Sequence, residues 1–294
     1  VLKNTLPILI TISLFAIACG QDNTSSKIKE IARENNSTQK QKIHPNGKTL
    51  DQRLTPPEGF QRIAVDTTSF AFYLRNLPLK PHGAKVLYYD GQVKPNTGIY
   101  DAVIDLPIGK RNLHQCADAV MRLRAEYLYE QKNYDAIHFN FTNGFKVAYS
   151  EWSKGKRIRV EGNKVRWTQG SNTTSHNRQS FWKYMELIFS YAGTASLEKE
   201  LESVQFKDLN AGDVLIQGGF PGHAVIIVDI AIHPITQKKV FLLAQSYMPA
   251  QEIQILKNPQ NPLLSPWYLP EEGVELETPE WLFKKTDLKR FKDL

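Results

Sequence analysis

The chain carries two cysteines, Cys19 and Cys116, and the second stands where a thiol could do chemistry. It lies in Asn112-Leu113-His114-Gln115-Cys116-Ala117-Asp118, which reads as the start of an amphipathic helix. Helix N-termini present unpaired N–H groups and the positive end of the macrodipole, both of which favour a thiolate. Such a thiolate could attack a carbonyl while first-turn amides hold the developing oxyanion. Far downstream, His223 follows Gly218-Gly219-Phe220-Pro221-Gly222 and opens the run Ala224-Val225-Ile226-Ile227-Val228-Asp229. Imidazole titrates near working pH, so a histidine at the mouth of a rigid strand is placed to act as a general base. Cys116 also sits on the apolar stripe of its helix, where a free cysteine can equally be an inert core residue.

An imidazole base needs a partner that orients it. If Ile232 pairs with Val240 across the following hairpin, Gln245 shares a sheet face with His223, two pleats from direct opposition, so a bulge is required to bring them together. Gln245 is therefore expected as the third member, with Ser246 close behind. Asp229 shares the face of His223 by parity but lies further along the strand and is assigned a structural role. Gln115, Gly222 and Ser246 are assigned to substrate binding. No cysteine pair or closely spaced histidine pair suggests a metal, and no glycine-rich phosphate loop stands between a strand and a helix, so no cofactor is implied.

The elements that must position these groups read as α+β. Asp66-Thr67-Thr68 caps a helix over 69–77, and an Asp90-Gly91 turn marks a hairpin. A strand covers 99–106, and Asn112-x-x-Gln115 reads as the capping box of a helix over 113–130. Hairpins turn at Asn143-Gly144 and Glu161-Gly162-Asn163. An aromatic-rich helix spans 180–191 and a shorter one 197–204. Strands follow at 213–217, 223–232, 240–247 and 251–256. The continuous apolar run 224–228 fits a strand covered on both faces. The charged segment 271–294 is expected to end in a surface helix. Phe181, Trp182, Tyr184 and Phe189 could stack on sugars, but their helical spacing fits core better.

Residues 1–18 read as a signal peptide: Lys3, then an apolar run from Leu6 to Ala18 too short to span a bilayer comfortably. Residues 19–57 hold no aromatic side chain and are rich in Asn, Ser, Gln and Lys, so they read as a disordered tether to a single α+β domain over 58–294. The net charge is +7, but the tether segment 20–57 alone holds seven Lys/Arg against four Asp/Glu. The remaining excess argues against a nucleic-acid partner. Between Lys154 and Arg166 six basic residues face only Glu161, a solvated face or a surface for an anionic polymer.

Two resemblances add to this reading. Ala16-Ile17-Ala18-Cys19 resembles a bacterial lipobox, which implies lipidation of Cys19 and a membrane anchor; Gly20, in place of aspartate, points to the outer rather than the inner membrane. Asp213-Val214 with His223-Ala224-Val225-Ile226-Ile227-Val228-Asp229 resembles the Gly-Asp…His-Val-x-Ile segment of NlpC-type and CHAP-type papain-like amidases, which cut amide bonds in peptidoglycan. That implies a papain-like fold, with a Cys-bearing helix packed on a His-bearing sheet. Gln115-Cys116-Ala117-Asp118, Gln217 to His223 and Ala244-Gln245-Ser246-Tyr247 resemble domain of unknown function 4846, which implies an envelope lipoprotein without assigning an activity. Two readings stay open: a lipid-anchored cysteine peptidase or amidase of the cell envelope, and a non-catalytic binding or scaffolding lipoprotein on the same frame. Peptidoglycan or another anionic envelope polymer is the expected partner in either case.

Overall fold

A computed structural model describes residues 43–269, 273 and 275–293. The expected signal peptide and the lipidated Cys19 lie outside the described residues, as does the tether as far as residue 42. The expected tether extends too far, because residues 43–57 are part of the domain. Thr49 caps a short helix, α1 (Leu50–Arg53). Leu50 and Leu54 are buried in the main core, and Ile43 bridges Leu54. One apolar residue every four is too sparse a pattern to stand out in a polar stretch.

In chain order there follow β1 (Gln61–Arg62), α2 (Phe70–Arg75), β2 (Tyr100–Val103), α3 (Cys116–Glu130), β3 (His138–Asn140), β4 (Lys146–Ala148) and α4 (Tyr149–Ser153). Then come β5 (Arg157–Glu161), β6 (Lys164–Thr168), α5 (Arg178–Tyr191), α6 (Thr194–Glu200), β7 (Glu202–Ser203), β8 (Val214–Gln217), β9 (His223–Ile232) and β10 (Lys239–Gln245). The last are β11 (Gln254–Leu256), β12 (Glu275–Glu277), β13 (Leu282–Lys284) and β14 (Leu288–Arg290). The main sheet is antiparallel in the order β2-β11-β10-β9-β8-β14-β7, with β1 paired to β9 as well. β3–β4, β5–β6 and β12–β13 form separate hairpins. The fold is α+β, as the sequence predicts. The expected C-terminal helix is instead strands β12 to β14, each built around one inward apolar residue: Leu276, Phe283 and Leu288.

β9 is the centre of the molecule. Ala224, Ile226 and Val228 face a core shared with the helices, and Val225 and Ile227 face a second core closed by Leu276 and Phe283. The pairing with β10 begins at Ile232↔Lys239, one residue from the predicted register. It then shifts between Leu242↔Asp229 and Leu243↔Ile227, leaving Val228 as the extra residue of a bulge. The bulge changes which face each later residue takes. Asp229, predicted to share the face of His223, lies with Leu242 on the helix side. There its carboxylate accepts from Arg62 Nε (2.6 Å) and Arg75 Nε (2.8 Å), tying β1 and α2 to the sheet. Its structural assignment stands; its face does not.

α3 packs across the helix side of β9. Its N-cap is Gln115, and the capping interaction is one turn later than predicted: the Asp118 carboxylate accepts from the Gln115 N–H at 2.9 Å. Cys116 is therefore the first helical residue. Arg122 and Glu126 are buried along with the apolar stripe. Arg122 stacks 4.6 Å from the Trp182 ring centre, and Glu126 is held by Arg178 at 2.6 Å.

Candidate active site

Several segments of the chain converge on a cavity of about 360 Å³. The N-terminus of α3 supplies Gln115, Cys116 and Asp118, and the α5–α6 junction supplies Phe189, Gly193 and Thr194. The Gly219–Gly222 loop contributes with His223, and Tyr247, Met248 and Trp281 complete the wall. The structure thus brings the predicted thiol and the predicted imidazole to one cavity, although 107 residues separate them in the chain. Gly222 lines the same cavity because nothing larger fits. A Cβ there would stand 2.5 Å from the Gly219 carbonyl oxygen and from Thr194 Oγ1.

Gln245 does reach His223. The bulge brings β9 and β10 into the pairing Ala244↔Ile226, which sets Gln245 one pleat from the histidine and on its face. Without the extra residue Gln245 would fall opposite Ile226, on the wrong face. Its Oε1 lies 2.8 Å from His223 Nε2. Its other end is fixed too, because Gln245 Nε2 donates to Glu280 Oε2 at 2.6 Å. A carboxylate only accepts, so the amide nitrogen faces Glu280 and the amide oxygen faces the imidazole. His223 Nε2 therefore carries the hydrogen, and Nδ1 holds the free lone pair. Nδ1 is buried and has no hydrogen-bond partner.

Burial leaves both the Cys116 thiol and the His223 imidazole uncharged. Burial pushes the Cys116 thiol up to about 11, reinforced by the Asp118 carboxylate and opposed by the backbone N–H groups of Ala117, Ala224 and Cys116. Burial also holds the His223 imidazole down to about 4; the Gln245 bond works against this and the Lys94 charge works with it. Asp118 is itself held well above the usual carboxylate range by burial, so its charge weighs less on the thiol than desolvation does. Rings enclose the imidazole, with Tyr247 edge-on at 4.7 Å, Phe283 stacked at 5.8 Å and Trp281 tilted at 5.3 Å.

Ser246, predicted to bind substrate, is not in the cavity. It is fully buried, and its hydroxyl is shared between the carbonyls of Gln251 (2.7 Å) and His114 (2.9 Å), fastening the strand to the segment before α3. The aromatic helix α5 is core, as its spacing predicts, except that Phe189 also lines the cavity. The basic segment keeps a positive excess, although four of its six cations share two carboxylates. Lys154 and Lys156 pair with Glu151, Arg159 and Arg166 pair with Glu161, and Arg157 lies 4.2 Å over the Trp152 ring. Sequence reasoning missed Trp281 and Glu280 entirely. The signal was the Thr278-Pro279-Glu280 turn between two short stretches alternating around Leu276 and Phe283, masked by the charge of the segment. Among the described residues no group of three or more His, Cys, Asp or Glu is arranged to hold a metal. Nor is any described helix long and apolar enough to cross a membrane.

Fold and site together define a mixed α+β domain on an antiparallel sheet, with a helix-borne thiol and an amide-oriented imidazole lining one cavity. The chain belongs to the family described as domain of unknown function 4846, whose model matches residues 50–290. No curated protein and no solved structure matches it.

Proposed function

We propose that this protein is a cysteine hydrolase of peptide or amide bonds on a papain-like frame, held at the cell envelope through a lipid on Cys19. The observation that carries the reading is the unspent lone pair of His223 Nδ1, buried beside the cavity that Cys116 lines, while Nε2 is committed to Gln245. An orphaned buried polar atom costs about 1–3 kcal/mol, and a base awaiting a proton accounts for that cost.

In this reading Cys116 Sγ attacks the carbonyl carbon as its proton passes to His223 Nδ1. The N–H groups at the start of α3 hold the developing oxyanion, and Gln115 lines the cavity beside them. His223 then gives the proton to the leaving amine as the C–N bond breaks, leaving a thioester. Water adds to the thioester carbonyl, His223 takes its proton and returns it to the departing sulfur, and the acid is released. Proton transfer occurs in the attacking step because both groups are neutral at rest. Peptidoglycan stem peptides are the first substrate to offer.

The test is labelling by an amide-based cysteine-reactive probe together with release of new amines from purified peptidoglycan. Wild type is expected to do both. Cys116→Ser is expected to lose about a thousand-fold or more in turnover at an unchanged melting temperature. Equal labelling of wild type and Cys116→Ala would remove the proposal. The mostly buried, raised-pKa thiol favours one other reading, a non-catalytic envelope module with Cys116 as packing. A thiol that resists small uncharged alkylating agents in the folded protein even near pH 11 would select it.

A further inference from the structure

Gln245 orients His223 only if its own amide is oriented, and a primary amide can rotate by 180° with almost no change of shape. Flipped, it would present its NH2 to His223 Nε2. The imidazole would then have to carry its hydrogen on Nδ1, the atom the hydrolase reading needs empty. Glu280, in the turn between β12 and β13, receives Gln245 Nε2 at 2.6 Å. Lys94, from the loop after the Leu87↔Val93 bridge, donates to the same Oε2 at 2.7 Å. Lys94 is 3 % exposed, and its ammonium lies 5.8 Å over the Tyr247 ring, which is itself edge-on to His223. The ammonium is a poor thing to bury without a counter-charge, and it faces Glu280.

We propose that Glu280, clamped by Lys94, is a positioning residue that fixes the tautomer of His223 through Gln245. The argument is one of donors and acceptors. An ionised carboxylate cannot donate, so it accepts the NH2 end of Gln245 and rejects the oxygen end. A protonated Glu280 could donate to that oxygen and would tolerate the flip. Lys94 removes this option, because its ammonium already donates to Oε2 and holds that oxygen as an acceptor. The relay Lys94–Glu280–Gln245–His223 thus determines which imidazole nitrogen is the base, from two loops 186 residues apart in the chain. The inference rests on the hydrolase reading for its purpose, but the tautomer itself can be measured without any substrate.

The experiment is long-range 1H–15N spectroscopy of the His223 ring, paired with turnover of an amide probe, in wild type, Glu280→Gln, Glu280→Asp and Lys94→Met. Wild type is expected to show the Nε2–H tautomer. Glu280→Gln, nearly the same shape but able to donate, is expected to show a mixture of tautomers and about ten-fold lower kcat at an unchanged KM. Glu280→Asp keeps the charge and is expected to restore the Nε2–H form; Lys94→Met is expected to fall between. A merely structural Glu280 would shift the melting temperature and leave the ring nitrogens as they are. An Nε2–H tautomer surviving in Glu280→Gln, or a wild-type ring protonated on Nδ1, overturns the proposal. A wild type that has the Nε2–H tautomer, loses it in Glu280→Gln and shows no Cys116-dependent turnover upholds the relay and sinks the hydrolase reading alone.

Discussion

Cys116 and His223 are a thiol and a neutral imidazole, a consequence of where each atom sits. Cys116 gains first-turn amides, which favour a thiolate, but loses water, which matters more: the balance leaves its pKa about 11. His223 loses water among three aromatic rings, and Gln245 returns only part of what burial removes. A pre-formed thiolate–imidazolium pair would give alkylation rates that level off below neutral pH. This site predicts the opposite. The thiol ionises only at high pH, so the rate of alkylation by an uncharged reagent such as iodoacetamide should rise about ten-fold per pH unit from 7 and level off near 11. Stopped-flow alkylation across pH 6–11, with the Cys116→Ala protein as blank, checks the curve; a plateau below pH 7 would mean the ion pair already exists.

At the scale of elements, the β8–β9 loop and the β9 bulge place the histidine. The loop is fastened to α6 by Thr194, whose Oγ1 donates to the Gly219 carbonyl at 3.3 Å. Gly222 passes so near that contact that an alanine would have to displace backbone. Gly222→Ala is therefore expected to cost about 1–3 kcal/mol and at least ten-fold in turnover, because the displaced strand end carries His223. Gly144→Ala is the control. Gly144 sits at φ +87° in the β3–β4 turn with open space around it, so the change should cost about 1–2 kcal/mol and leave turnover alone. Thermal melts beside probe turnover separate the two. Much of this level was legible in the sequence: β9 begins at His223 as read, and α3 ends at Glu130 as read. Register was not. The continuous apolar run 224–228 has no alternation for a bulge to interrupt, because a bulge is set by how two strands twist against each other and a buried run looks the same with or without it. Gln245 was reached by parity only on the condition of such a bulge, while Glu280 lay hidden in a segment whose three short strands each bury a single apolar residue.

At the scale of the molecule, one sheet separates two cores, and the cavity holding Cys116 and His223 sits where the helix-side layer meets the strand end. The helix-side layer is completed by chain that reads as tether. Leu50 and Leu54 lie at 0 and 1 % exposure, Arg53 Nε donates to the Gly47 carbonyl at 2.8 Å, and Arg53 Nη1 donates to the Lys80 carbonyl at 2.7 Å. The Trp267 indole reaches from the far end of the chain to the Thr55 carbonyl at 2.9 Å. A protein beginning at residue 58 would leave the hollow for two leucines open and strand that indole N–H. Each buried leucine is worth about 2–5 kcal/mol when truncated, a sum comparable with the whole stability of a domain. Leu50→Ala and Leu54→Ala are each expected to lower the urea midpoint with an unchanged slope, and a chain starting at residue 58 to lose its cooperative transition. A chain starting at residue 43 should keep its cooperative transition, because it retains all the packing seen among the described residues; equal stability for the 43 and 58 starts would return residues 43–57 to the tether.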